Sequence, residues 1–153
     1  MILSRQSIRR LCEAGYLVGK DMVEPTQAFG RSYGLSSCSY DIRVAQTLVI
    51  SPGKGILGSA LEYLRMPSSV VGFVKDKSSN ARDFILVQNT LIDPGWKGYL
   101  TLEITNHGKA PVEIEAGTPI AQIVFQWLDF PTDLPYDGKY QNQGSQPQPT
   151  ILK

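Results

Sequence analysis

The feature that most constrains the fold is a two-residue hydrophobic period that begins near Ser39 and recurs in short runs as far as Phe125. In the run Leu100-Thr101-Leu102-Glu103-Ile104, apolar and polar residues alternate, so a strand here has one apolar and one polar face. Such runs recur at intervals of about 8–12 residues, separated by Gly and Pro turns, as in β-sandwiches and barrels. The sequence therefore predicts an all-β fold.

The pattern changes at both ends of the chain. A helix is predicted to begin after Ser4 and to end near Gly15. Residues 19–37 are polar and turn-rich, so a loop is predicted there. Residues 137–153 are rich in Gln, Gly and Pro and cannot form a core of their own. They are predicted to be either a disordered end or a flexible lid that orders on ligand, beside one domain over residues 1–136.

Composition excludes several classes of protein. The 15 Lys and Arg residues nearly balance the 14 Asp and Glu residues, so neither nucleic acid nor a membrane surface is an expected partner. No apolar run approaches the ~18 residues of a membrane-spanning helix. His107, Cys12 and Cys38 are too few and too scattered for a standard zinc site or a disulfide framework. This cysteine usage favours a reduced, cytoplasmic setting.

The densest polar cluster is residues 75–82, which hold three cations, two adjacent serines and an asparagine. Hydroxyl and backbone N–H groups can hold phosphate oxygens, and Arg82 can bind them bidentately. The alternative is a solvated loop with a helical turn, which composition alone favours.

Two carboxylates and a tail segment are further candidates. Asp93 ends a predicted strand before a tight turn, where it can bind a sugar hydroxyl, orient a water or simply stabilise the turn. Glu103 lies on the polar face of its strand and on that basis alone faces solvent. If that face lines a pocket, a Glu with a raised pKa can relay protons. In the tail, Tyr136, Lys139 and Gln143 can bind phosphate or a base edge.

Taken together and in this order, these segments resemble the dCTP deaminase branch of the deoxyuridine triphosphatase (dUTPase) superfamily. The similarity runs nearly end to end. It rests on the opening helix and on residues 39–44, 64–82, 92–98, 101–103 and 139–144. The elements Ser-Ser-x-Ala-Arg, Ile-Asp-Pro-Gly and Leu-Glu are specific as a set, although each alone is weak.

The resemblance implies a distorted β-barrel or jelly roll that assembles as a homotrimer with active sites between subunits. It implies hydrolytic deamination of dCTP to dUTP with release of ammonia, and a Mg²⁺ ion carried by the triphosphate rather than by the protein. The common cytidine-type deaminases hold zinc in a His/Cys pattern that this sequence lacks, so no zinc is expected.

The resemblance also assigns roles to residues. Glu103 is the expected general base and acid, and Ser78 and Arg82 are expected to act with it in catalysis. Asp93 is expected to bind the deoxyribose 3′-hydroxyl. The full expected substrate-binding set is Lys77, Ser78, Ser79, Asn80, Ala81, Arg82, Gln88, Asp93, Thr101, Leu102, Tyr136, Lys139 and Gln143.

Three departures from the family pattern fall within residues 77–92. Lys77 stands where many members have Arg, and Leu91 stands where many deaminases have Arg. Only ten positions separate Arg82 from Ile92, which shortens the hairpin that recognises the base.

Three alternatives stay open. A dUTP diphosphatase would cleave dUTP to dUMP and pyrophosphate, with Asp93 positioning the attacking water. A bifunctional enzyme would perform both steps, and a regulatory nucleotide-binding trimer would perform neither. Glu103 favours deamination, because dUTPases usually have an apolar residue at that position.

Overall fold

A computed structural model describes residues 1–152, and strands dominate it. Helix α1 (Arg5–Glu13) follows Ser4, as predicted. The other elements in chain order are a 3₁₀ helix (Gly19–Asp21), β1 (Thr26–Ala28), β2 (Arg31–Leu35), β3 (Tyr40–Arg43), β4 (Leu48–Ile50), β5 (Gly55–Arg65), β6 (Val70–Asp76), α2 (Ser78–Arg82), β7 (Ile85–Val87), β8 (Leu91–Ile92), β9 (Lys97–Asn106), β10 (Val112–Ile114) and β11 (Pro119–Trp127). No helix in this described part of the chain is long and apolar enough to cross a membrane.

The strands pair into three antiparallel sheets. The largest has the order β1-β2-β3-β11-β6-β8, the second has the order β5-β9-β7, and the third pairs β10 with β4. Their apolar faces meet in one core that includes Tyr40, Leu102 and Phe125, and α1 adds Ile8 and Cys12. The predicted all-β fold is confirmed, with sheets that do not close into a barrel.

The segment predicted as a loop at residues 19–37 contains a β-hairpin. Strands β1 and β2 pair from Thr26 opposite Tyr33 to Ala28 opposite Arg31. The intervening Phe29 and Gly30 have φ of 51° and 70°, and two positive φ values are typical of a type I′ turn. Because β1 is polar and largely exposed, no two-residue hydrophobic period marks it in the sequence.

A buried ion pair joins the start of α2 to β3. Lys77 Nζ lies 2.5 Å from Asp41 Oδ2, and the two side chains are only 10% and 9% exposed. The ammonium also lies 3.4 Å from Ser32 Oγ on β2. Since both charges are removed from water, each depends on the other for compensation.

The C-terminal segment packs along β9 of its own chain. Tyr99 N donates to Gln143 O at 3.0 Å, and Asn142 N donates to Lys97 O at 2.9 Å. Gly98 lies between these contacts with φ of 148°, and a Cβ on it would lie 2.7 Å from Gln143 N. A glycine is therefore required where the tail backbone meets the strand.

Two hydroxyl groups hold the rest of the tail. Thr101 Oγ1 accepts hydrogen bonds from the Gln143 side chain and, at 2.9 Å, from Gln148 N. The buried Ser59 Oγ donates to Ser145 O at 2.7 Å. The structure thus shows residues 137–152 docked on the β domain, and their opening as a lid stays a prediction.

The buried ion pair generates a stability prediction. Replacing Lys77 with Ala leaves Asp41 buried without its counter-charge, so we expect the free energy of unfolding to fall by about 3 kcal/mol. Urea denaturation measures the loss. The control is Arg9→Ala, which removes an exposed pair with Glu24 and should change stability far less. Equal losses in the two variants would contradict a special role for the buried pair.

The tail contacts generate a second prediction. Thr101→Val keeps the side-chain shape but removes the acceptor for Gln143 and Gln148. One net hydrogen bond is worth about 1 kcal/mol, so we expect exchange of the Gln148 amide hydrogen to quicken about fivefold. Hydrogen exchange measures this, and Thr105→Val on the same strand is the matched control. An unchanged Gln148 rate would show that the threonine hydroxyl does not hold the tail.

Candidate active site

A pocket of about 310 Å³ lies beside β9. Its walls are the segment between β7 and β8, the turn after β8, the outer side of β9 and the C-terminal segment. The residues most relevant to chemistry are Asn89, Asp93, Thr101, Glu103, Tyr136 and Gln143. Five of these six were predicted as site residues from the sequence, and the pocket brings them together within one chain.

Glu103 lies at the edge of this pocket because of its position in the strand. Leu102 and Ile104 are fully buried in the core, and Glu103 between them is exposed on the opposite side. Partial burial raises the pKa of the Glu103 carboxyl, and a hydrogen bond from its own backbone N–H opposes this rise. Among residues 1–152 the carboxylate has no ion-pair partner. It is therefore available to exchange protons with a ligand.

Asp93 reaches the same pocket from the turn that follows β8. Its backbone carbonyl accepts a hydrogen bond from Trp96 N at 3.1 Å, which closes the turn. Its side chain is half-buried and lines the pocket. Tyr136 N donates to Pro94 O at 2.8 Å, so the turn also anchors the start of the tail. The two acidic residues thus line one cavity, from different elements.

The tail residues predicted to contact ligand separate into two groups. Tyr136 and Gln143 line the pocket, whereas Lys139 does not. The Lys139 ammonium donates to Ile151 O and lies 5.3 Å from the centre of the Tyr140 ring. In this arrangement Lys139 binds its own tail.

Two further predicted residues turn away from the pocket. The Leu102 side chain is buried in the core. Gln88 accepts a hydrogen bond from Thr105 Oγ1 at 3.3 Å and does not line the pocket. Its neighbour Asn89 does line the pocket, although its side chain is not among those expected from the sequence. Which of two adjacent amides faces the pocket depends on the register of β7 against β9, which the sequence did not reveal.

The predicted phosphate-binding segment, residues 75–82, contains α2 and lies outside this pocket. The buried Asn80 side chain donates to Pro119 O at 3.1 Å and to Ile120 O at 3.0 Å, so it fixes α2 against β11. Ser78 is exposed, and Ser79 and Ala81 are half-buried.

Arg82 is exposed and lines a different groove of about 550 Å³, together with Arg31 and Lys109. The Nε of Arg31 is buried and has no hydrogen-bond partner among residues 1–152. The predicted phosphate-binding segment and the Glu103 pocket therefore occupy separate surfaces of a single chain.

No three His, Cys, Asp or Glu side chains in residues 1–152 are grouped so that they could hold a metal ion.

The chain matches known proteins in both sequence and fold. The family described as dCTP deaminase-like matches residues 36–128. A dCTP deaminase from Campylobacter lari is 34% identical over all of this chain and 94% of its own length. A dCTP deaminase from Herpetosiphon aurantiacus is 34% identical over 78% of this chain and 83% of its own length.

Solved dUTPase structures share the fold at lower identity. EIAV dUTPase superposes with a TM-score of 0.58 at 20% identity and covers 78% of this chain and 95% of its own. The dUTPase of Staphylococcus bacteriophage 80alpha superposes with a TM-score of 0.58 at 19% identity, covering 80% of this chain and 94% of its own. These superpositions confirm the jelly-roll fold predicted from the sequence. The family match over residues 36–128 and the full-length relatives show that this chain belongs to the dCTP deaminase-like family.

Proposed function

We propose that this protein catalyses the hydrolytic deamination of dCTP to dUTP with release of ammonia. The observation that most supports this is Glu103, a carboxyl with a raised pKa and no ion-pair partner within residues 1–152, in the same pocket as Asp93. The full-length relatives named dCTP deaminase support the same activity. A pocket of about 310 Å³ is at the small end of the range for ligand sites, which suits a base and sugar.

The proposed chemistry needs one carboxylate that exchanges protons twice. A water attacks C4 of the cytosine, and Glu103 accepts one of its protons. Glu103 delivers this first proton to N3 of the ring. It then takes the proton of the new C4 hydroxyl and delivers it to the amino group, so that the C4–N bond breaks, the C4 carbonyl forms and ammonia leaves. The balance is one water and dCTP in, one ammonia and dUTP out. Since the carboxylate is regenerated, the cycle needs no zinc-bound hydroxide.

Asp93 and the tail would position the nucleotide during these steps. We assign Asp93 to the deoxyribose 3′-hydroxyl, in keeping with its place in the pocket beside Glu103. Tyr136 and Gln143 would cover the base and sugar and exclude further water. Lys139 would join them only after leaving its contact with Ile151.

The proposed active unit is a homotrimer with its sites between subunits. Ser78 and Arg82 do not line the Glu103 pocket of their own chain, so a second chain would have to supply the phosphate-binding loop. Leu57, Leu61 and Tyr63 on β5 are exposed, and Leu57 lines the pocket, so a second chain docked against β5 would cover these apolar side chains. In that unit Ser78, Ser79 and Arg82 would hold the triphosphate and orient the water.

We propose that Mg²⁺ enters with the triphosphate, as part of the substrate. A dUTPase variant from phage phi11 of S. aureus, a protein of the same fold, is described with a structural Mg(II) ion. We also place the protein in the cytoplasm, because Cys12 and Cys38 are both free thiols.

The second candidate is a dUTP diphosphatase, alone or combined with deamination. The dUTPase fold and the presence of Asp93 in the pocket favour it, since Asp93 could position a water for attack on phosphate. A regulatory trimer without turnover is the third candidate, and the shortened hairpin before Ile92 is its support.

One assay separates these candidates. Purified protein is incubated with Mg²⁺ and either dCTP or dUTP, and ammonia and pyrophosphate are measured separately. We expect ammonia from dCTP. Pyrophosphate from dUTP would support the diphosphatase. If neither ammonia nor pyrophosphate is released, the regulatory binding protein is the remaining candidate.

Glu103→Gln should lower ammonia release by at least about 10²-fold while dCTP still binds. Glu13→Gln, at an exposed position of α1, is the control, and full activity in Glu103→Gln would refute the assignment.

The raised pKa of Glu103 predicts the acidic limb of the pH profile. A general base must be ionised, so kcat/KM should fall as the pH drops through the pKa of Glu103 in the free enzyme. Because that pKa is raised, the midpoint should lie above the ordinary carboxyl value of about 4.3. Binding of dCTP to Glu103→Gln, measured over the same pH range, controls for titration of the nucleotide. A midpoint below the ordinary value would contradict a desolvated base.

A further inference from the structure

Beside Glu103, the side chain of Asn89 forms the hydrogen bonds that a neighbouring strand would otherwise make with β9. Strand β7 pairs with β9 only from Ile85 opposite Asn106 to Val87 opposite Ile104. One more backbone bond follows, from Gln88 N to Glu103 O at 2.9 Å. Beyond it the contacts with β9 pass to the Asn89 side chain.

The Asn89 carboxamide occupies the edge of β9 on both sides of Leu102. Its Nδ2 donates to Thr101 O at 2.7 Å, and its Oδ1 accepts from Glu103 N at 3.2 Å. A carboxamide has the donor and acceptor of a peptide group, so it can satisfy two backbone groups as a neighbouring strand would. On the opposite edge, Ser59 and Leu57 of β5 lie opposite Thr101 and Glu103. The segment that presents Glu103 is therefore held on both edges.

We propose that Asn89 is a positioning residue that fixes the backbone of Thr101 and Glu103 and thereby directs the Glu103 carboxylate into the pocket. The kinetic part of this inference rests on the proposed deamination, whereas the bracing of β9 does not.

Competition for one N–H group supports this role. The backbone N–H of Glu103 bonds Asn89 Oδ1 and also interacts with the carboxylate of Glu103 itself. When Asn89 is removed, the carboxylate is the acceptor that remains. It would fold back onto its own backbone and away from a ligand.

The same strand position also meets the tail. Thr101 accepts from Asn89 through its carbonyl, and from Gln143 and Gln148 through its hydroxyl. Asn89 therefore fixes the residue to which the proposed lid is attached. Misplacing a reacting group by about 1 Å can cost about 10²-fold in rate, so small movements here matter.

The test compares Asn89→Ala with Thr105→Val, a control on β9 whose hydroxyl contacts Gln88 and not Asn89. With Mg²⁺-dCTP as substrate, we expect Asn89→Ala to lower kcat about 10²-fold and to change KM less than about threefold. Thr105→Val should keep kcat within about threefold of the wild type. Equal kcat values for the two variants would overturn the proposal.

Amide hydrogen exchange provides a readout that is independent of activity. In Asn89→Ala the Glu103 amide should exchange about five to ten times faster, because the braced hydrogen bond to Asn89 is replaced only by a contact with the residue's own mobile carboxylate, while the Val87 amide should be unchanged. An unchanged Glu103 rate would overturn the bracing. If the wild type releases no ammonia, the proposed function fails, and these exchange rates still decide the inference.

Asn89→Asp provides a second, isosteric variant in case the Ala variant fails to fold. A carboxylate can accept from Glu103 N but cannot donate to Thr101 O. We expect the Glu103 amide to stay protected and kcat still to fall at least about tenfold, with KM little changed. Wild-type kcat in Asn89→Asp would overturn the role of the Thr101 contact.

Discussion

The pairing of β9 along both of its edges is the interaction on which the rest of the structure depends. On one edge it pairs with β5, from Gly55 opposite Thr105 to Arg65 opposite Lys97, and on the other with β7 and Asn89. This register buries Leu102 and leaves Glu103 facing outward. A slip of one residue would exchange the two faces and bury the carboxylate.

Three acidic side chains show how this scaffold separates structural charges from a reactive one. Asp41 is buried against Lys77. Glu62 is buried too, and accepts from Arg43 Nε at 2.8 Å and Arg43 N at 2.9 Å, although burial still raises its pKa. Glu103 has no such partner within residues 1–152 and lies beside a cavity. The first two hold elements together, and only the third is free to change its protonation state during a reaction.

Sequence periodicity predicted the elements whose two faces differ and missed those whose faces do not. The alternation at residues 100–104 identified β9 and the outward position of Glu103. It could not identify β1 or β2, because their residues are mostly polar and the hairpin depends on the backbone of Phe29 and Gly30. The docking of the tail on β9 was not predicted for a related reason. It depends on backbone and amide hydrogen bonds and involves few large apolar side chains.

The candidate site was predictable in its residue types and less so in its geometry. The resemblance pointed to Asp93 and Glu103, which the structure places in one pocket. It could not show that the polar groups of Lys77 and Asn80 bind other parts of the protein. Lys77 pairs with Asp41, and the Asn80 side chain donates to the carbonyls of Pro119 and Ile120. Such partners are distant in sequence, and only the folded chain brings them together.

The order of the strands in the largest sheet has a consequence for how the chain is made. Strand β11 lies between β3 and β6, and its residue Ala121 pairs with Ile42, which the ribosome adds 79 residues earlier. Until β11 emerges, β3 and β6 have no partner on their facing edges. Folding that relies on such distant pairings is slow, and unpaired edges favour aggregation. A nascent chain halted before residue 119 would therefore expose two open edges to any neighbour that can add a strand.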